Sequence, residues 1–137
     1  MTLSLDNLGK AVAALGLSVA QPKNDFIRDS VIQRFEFTYE LAWKAIRKQL
    51  IEDIGEASAD GLSRKDLFRK ALQQKIISDF DAWVSFHEAR NSTSHNYNEA
   101  NAEKVYQAAL QFLPEAQRLL LLLKKRGWLN ATESKPS

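Results

Sequence analysis

The chain has 137 residues, which is room for one domain with a real core and little beyond it. Hydrophobic residues make up 45% and charged residues 26%, and a net charge of +2 leaves any anion site to local clustering rather than a whole-surface field. The absence of cysteine excludes disulfides, thiol catalysis and cysteine-ligated zinc, and is compatible with a reducing cytoplasmic setting.

Five glycines and three prolines interrupt the patterning rarely, which argues for an all-helical chain. Leu5, Leu8, Val12, Leu15 and Val19 recur at spacings of 3 and 4, predicting a first helix over Ser4 to Val19 that Gln21-Pro22 ends. A long second helix is predicted from Asn24 or Asp25, either of which can cap it, to about Ile54, with Gly55 as the stop. On it Ile27, Val31, Phe35, Thr38, Ala42, Ala45 and Gln49 form one line, and Tyr39, Trp43, Ile46 and Leu50 an adjacent one. A face that wide touches two neighbours, as in a bundle.

Glu56 to Gly61 reads as a small-residue loop. Ser63-Arg64-Lys65-Asp66 then opens a short helix carrying Leu67, Phe68, Ala71 and Leu72. Ser78-Asp79-Phe80-Asp81 is a further cap, followed by Phe80, Trp83, Val84 and Phe86 on the buried side up to Arg90. Asn91 to Asn96 contains no strong helix former, so that helix should fray or turn there. Asn98-Glu99 starts the last helix, through Val105, Tyr106, Ala109, Leu110, Leu113, Leu120 and Leu123 to a stop at Gly127, with Pro114 expected to kink or divide it.

These elements predict an antiparallel four-helix bundle with one additional short helix, a single domain over 1–127 and a flexible tail over 128–137. Leu119 to Leu123 covers every side of a helix. Some of those leucines would be wet in a monomer, so a homodimer or a partner interface is the economical expectation. The same run is far too short to cross a bilayer, and Met1 to Gly9 lacks the pattern of a signal peptide, so no membrane attachment is expected.

The chemistry concentrates in Arg90-Asn91-Ser92-Thr93-Ser94-His95-Asn96-Tyr97. Arg90 is a permanent cation able to grip a phosphate through two parallel hydrogen bonds, and His95 is a proton carrier near neutral pH. In an unbroken helix, positions five apart differ by roughly 140° and about 7.5 Å. If the helix ends near Ser92, a turn brings His95 back beside Arg90, with Tyr97 on the same side. Physics alone leaves a blander account open, in which His95 and Tyr97 satisfy a helix end and Arg90 pairs with Glu88 or Glu99. His87 and His95, the only histidines, have no carboxylate at a convincing ligand spacing, so no metal is expected. Glu36 and Glu40, spaced i, i+4, read as a solvated stripe with Lys44 as the partner of Glu40. Trp43 and Trp83 read as core or interface aromatics, and Lys124-Lys125-Arg126 as the cations that favour a helix C-terminus.

Phe35-Glu36-Phe37-Thr38-Tyr39-Glu40-Leu41-Ala42-Trp43-Lys44, followed by Arg90 to Glu99, resembles the nucleotidyltransferase substrate-binding protein family of the HEPN superfamily, over roughly Leu5 to Lys125. The resemblance implies a dimeric, HEPN-like four-helix bundle that is co-encoded with a minimal nucleotidyltransferase and binds it. It implies a toxin–antitoxin pair in which this chain cuts RNA without a metal or other cofactor. Carried over by position, Arg90 would hold the scissile phosphate and His95 would act as general acid or base. Asn91 and Ser94 would contact substrate, and Tyr97 would be the tyrosine that the transferase modifies with AMP. The older family label implies instead a non-catalytic subunit that presents nucleotide or substrate to the transferase.

Overall fold

A computed structural model describes residues 5–92 and 98–128. The described residues form six helices and no strand: α1 (Asp6–Val19), α2 (Asp25–Ile54), α3 (Glu56–Ala59), α4 (Arg64–Gln73), α5 (Phe80–Ser92) and α6 (Glu99–Lys125). The four long ones make the bundle, and α4 packs across α5 and α2. The expected loop at 56–61 instead contains the single turn α3, so two short helices rather than one stand between α2 and α5. Gly55, with φ at +88°, lets the chain reverse there, because a left-handed backbone costs glycine least.

Local chemistry sets the helix ends. The Asn24 side chain accepts from the Ile27 amide, Ser63 from Asp66, Asp79 from Ala82 and Asn98 from Asn101. At the far end of α6, Trp128 N donates to Leu123 O and Gly127 N to Lys124 O, with Gly127 at φ +99°. This is a Schellman turn. It swings Trp128 inward, where the ring is buried and Nε1 donates to Gln49 Oε1 at 2.8 Å. Trp128, placed by the sequence at the head of the tail, thus packs on α2; residues 129–137 lie outside the described residues. α6 runs through Pro114 as one helix. The lost backbone bond costs about 3 kcal/mol. Burial of Phe112, Ala116, Leu119 and Leu123 on either side offsets it.

Side-chain contacts fix the directions. Thr38 Oγ1 reaches Ala11 O and Arg34 reaches Ala14 O, so α1 and α2 are antiparallel. Arg28 meets Glu99 and Asp53 meets Arg126, so α2 and α6 run parallel. Tyr39 meets His87 and Glu36 meets Arg90, making α5 antiparallel to α2. Phe112 of α6 lies at the centre, with Phe35 and Phe86 rings 5.2 Å away, Trp83 at 5.8 Å and Tyr39 at 6.4 Å, most of them edge-on. Of the leucine run, Leu119 and Leu123 are buried, whereas Leu121 is 62% exposed. No helix among the described residues is long and apolar enough to cross a membrane.

Candidate functional site

The aromatic line on α2 meets α5 at its polar end. Arg90, in the last turn of α5, points across to α2, where Nη1 lies 3.1 Å from Glu36 Oε2 and Nε lies 3.6 Å from Glu40 Oε1. All three side chains are about one-third exposed, so the cluster sits at the rim of the core and not in bulk water. Glu36 and Glu40 are therefore not a solvated stripe. They are counterions that hold the Arg90 fork. Lys44, the expected partner of Glu40, instead lies over the Trp43 ring, while Trp43 Nε1 donates to Glu40 Oε2 at 2.9 Å. The Arg90 partners shown are thus neither Glu88 nor Glu99; Glu99 is taken by Arg28 through a two-pronged contact at 2.6 and 3.2 Å.

One turn earlier on α5, His87 links core and rim. Its Nδ1 lies 2.9 Å from the buried Tyr39 hydroxyl and its Nε2 lies 3.1 Å from Asn91 Nδ2. With the Asn91 amide nitrogen donating to Nε2, the assigned tautomer carries its proton on Nδ1 and donates it to Tyr39 Oη. Burial draws the His87 pKa down, and nearby Arg64 draws it further, with Glu40 and Glu88 acting against them. The ring is thus kept neutral as a structural connector. Burial likewise pushes the Tyr39 phenol well above its ordinary value, with Arg64 opposing, Glu40 adding and Arg90 opposing, so the hydroxyl stays protonated.

Arg64, at the start of α4, completes the cluster. Its guanidinium carbon sits 3.2 Å from the centroid of the Trp43 ring, a close cation–π stack. Burial lowers its pKa, with Tyr39 and Glu40 pulling the other way.

Of the residues singled out in the sequence, Arg90 and Asn91 are adjacent here at the end of α5, tied to α2 by Glu36 and Glu40 and to Tyr39 through His87. Ser94, His95 and Tyr97 lie outside the described residues. The ends of their segment are held: Asn101 Nδ2 donates to Ser92 O, and Arg28 grips Glu99. Among the described residues no cluster of histidine and carboxylate side chains is arranged to hold a metal ion. Sequence reasoning missed Arg64, Tyr39 and His87 as members of the cluster. The i, i+4 carboxylate pair is visible in the sequence, but there it reads as a solvated stripe.

A small helical bundle with an arginine set in a carboxylate cradle, opening the segment Arg90-Asn91-Ser92-Thr93-Ser94-His95-Asn96-Tyr97, defines the class. Residues 3–125 match the family described as "Nucleotidyltransferase substrate binding protein like", and the chain belongs to that family. It is similar to the probable ribonuclease HepT of Haemophilus influenzae, 38% identical over 104 residues that cover 75% of this chain and 71% of that protein. A solved structure from the same organism superposes with a TM-score of 0.77 at 34% identity, covering 86% of this chain and 97% of the other. It is described as having the fold of a substrate-binding domain of a nucleotidyltransferase. A structure from Thermus thermophilus gives a TM-score of 0.74 at 28% identity, covering 85% of this chain and 98% of the other.

Proposed function

We propose that this chain is the HEPN-type subunit of a two-component toxin–antitoxin pair, a metal-independent endoribonuclease restrained by a co-encoded nucleotidyltransferase. The observation that carries the reading is the placement of Arg90. A permanent cation is fixed at the end of α5 by two carboxylates, immediately before the segment that contains His95. The likeness to a probable ribonuclease supports it.

In this reading Arg90, aimed by Glu36 and Glu40, orients the scissile phosphate and stabilises its developing charge. His95 takes the proton from the ribose 2′-hydroxyl as its oxygen attacks phosphorus, or returns a proton to the leaving 5′-oxygen. Asn91, steered by His87, and Ser94 contact the substrate. AMP on Tyr97 would set a bulky anion against Arg90 and block the site. Two copies of the chain form a homodimer, supported by the exposed Leu121 in the leucine run and tested by light scattering.

The test is cleavage of single-stranded RNA by purified protein, alone and with the transferase plus ATP, with EDTA present throughout. Cleavage should persist in EDTA, fall on AMP transfer to Tyr97, and drop at least about 100-fold in Arg90→Gln and in His95→Ala. The description of the related Haemophilus structure favours a second reading, a non-catalytic subunit that presents nucleotide or substrate to the transferase. Intact RNA after incubation with protein shown by mass spectrometry to carry a bare Tyr97, together with ATP binding or stimulated transfer, would select that reading.

A further inference from the structure

Arg64 stands out for what it lacks. Its side chain is half-buried, its Nε and Nη1 are buried without a hydrogen-bond partner, and no carboxylate among the described residues pairs with it. Two neighbouring arginines, by contrast, have carboxylate partners. Arg90 has Glu36 and Glu40, and Arg47 lies 3.7 Å from Asp60. Glu40 is close enough to pull on Arg64 but spends its own oxygens on Trp43 and Arg90. A buried cation with no anion costs stability, and the ring face of Trp43 replaces only part of the lost hydration.

The guanidinium also borders a cavity of about 250 Å³, which Trp43, Arg47, Ala59, Asp60 and Leu67 line with it. Asp60 is exposed and engaged by Arg47, so the charge left over in that cavity is the positive one on Arg64. The cavity is joined to the candidate site through side chains. Arg64 stacks on Trp43, Trp43 bonds one oxygen of Glu40, and the other oxygen of Glu40 faces Arg90.

We propose that Arg64, held against Trp43, is a second phosphate-binding residue of this site, taking a phosphate of the same ligand that lies near the one at Arg90. The proposal rests on the reading of Arg90 as a phosphate clamp and adds that the ligand carries more than one phosphate in series. Polyphosphate of a nucleotide and the backbone of RNA share that chemistry. A planar five-donor fork stacked on an aromatic ring suits such a group, whereas lysine offers only a point charge.

The test measures binding of two probes, a fluorescein-labelled single-stranded RNA 10-mer by anisotropy across a salt series and ATP by calorimetry. It compares the unsubstituted chain with Arg64→Gln, Arg64→Lys and Arg90→Gln and includes a thermal melt of each. Arg64→Gln should weaken the bound probe about tenfold and reduce the salt slope for RNA by about 0.7, one phosphate contact on a single strand. Its melting temperature should hold or rise, since an uncompensated buried charge is removed. Arg64→Lys should restore the slope with part of the affinity. If ATP binds and RNA does not, with the same Arg64 dependence, the subsite stands and the ribonuclease reading falls. Affinity and slope unchanged in Arg64→Gln, while Arg90→Gln loses both, would overturn the subsite and leave the ribonuclease reading intact. A lower melting temperature in Arg64→Gln that accounts for the lost affinity would make Arg64 a packing residue and overturn the proposal. Failure of the unsubstituted chain to bind either probe would overturn both.

Discussion

Tyr39→Phe removes a single oxygen from the contact that joins the core to the rim. The ring stays where it is, among Phe35, Phe112 and His87, so no cavity opens and the change isolates the hydrogen bond. Tyr39 is 1% exposed, and its hydroxyl lies 2.9 Å from His87 Nδ1. Deleting an ordinary bond of this kind costs about 1 kcal/mol, and leaving a buried donor without an acceptor raises that to about 1–3 kcal/mol. His87 is only partly buried and water reaches it in the variant, so the lower half of that range applies, about 1–2 kcal/mol. For a chain of this length roughly 3–5 °C of melting temperature corresponds to each kcal/mol, giving a fall of roughly 3–10 °C by circular dichroism at pH 8. RNA cleavage or ligand binding should fall severalfold as well, because His87 no longer holds Asn91 beside Arg90. A melting temperature equal to that of the unsubstituted chain would refute the assignment of a buried Tyr39–His87 bond.

The depressed pKa of His87 predicts a pH dependence. The folded ring resists protonation while the unfolded one accepts it near its ordinary 6.5, so stability should fall as pH drops below about 6.5. Urea midpoints measured between pH 8 and 5.5 should show that loss, and His87→Gln should flatten it relative to the unsubstituted chain. Glu99 acts in the same direction at lower pH: its bond to Arg28 holds the carboxyl below its ordinary 4.5, so the contact stabilises above that pH and is lost as pH falls through the lowered value. Arg28→Met should unfasten the start of α6, seen as faster amide exchange near Glu99 with the centre of α6 unchanged. Phe112→Ala, at the meeting point of four rings, should cost about 3–5 kcal/mol and show as a large drop in the urea midpoint.

Much of the bundle was legible because helix ends are written locally. Asn24, Ser63, Asp79 and Asn98 each cap through their own side chain, and Gly55 and Gly127 adopt positive φ where the stops were expected. Of the first line of α2, Val31, Phe35, Thr38, Ala42, Ala45 and Gln49 are buried and Ile27 is partly buried. The turn at Glu56–Ala59 was illegible, because four residues hold less than two helical turns and carry no readable period. Pro114 does not divide α6, because its cost is local while the burial that outweighs it comes from other helices. In the site, Arg90 and Asn91 were visible by type. Their partners were not, since helical spacing relates Glu40 to Lys44 and says nothing of an arginine 50 positions on.

That missing information changes what the site is. A lone arginine at a helix end is free to meet any phosphate, but this one is already engaged by Glu36 and Glu40 at 3.1 and 3.6 Å. In the proposed ribonuclease, an incoming phosphate must share Arg90 with two carboxylates of its own sign, which weakens ground-state binding while keeping the fork aimed. Replacing Glu40 by Gln removes one competing charge and keeps an acceptor for Trp43 Nε1. Binding of a short RNA or of ATP should therefore tighten, by roughly threefold to tenfold at low salt, and the gain should shrink as salt screens the rim. Turnover should not rise with it, because a looser Arg90 gives up orientation in the transition state. Tighter binding with slower cleavage is the expected pair of results. Weaker binding in Glu40→Gln would mean that the carboxylates serve to aim Arg90 at the ligand and that their repulsion of it counts for little.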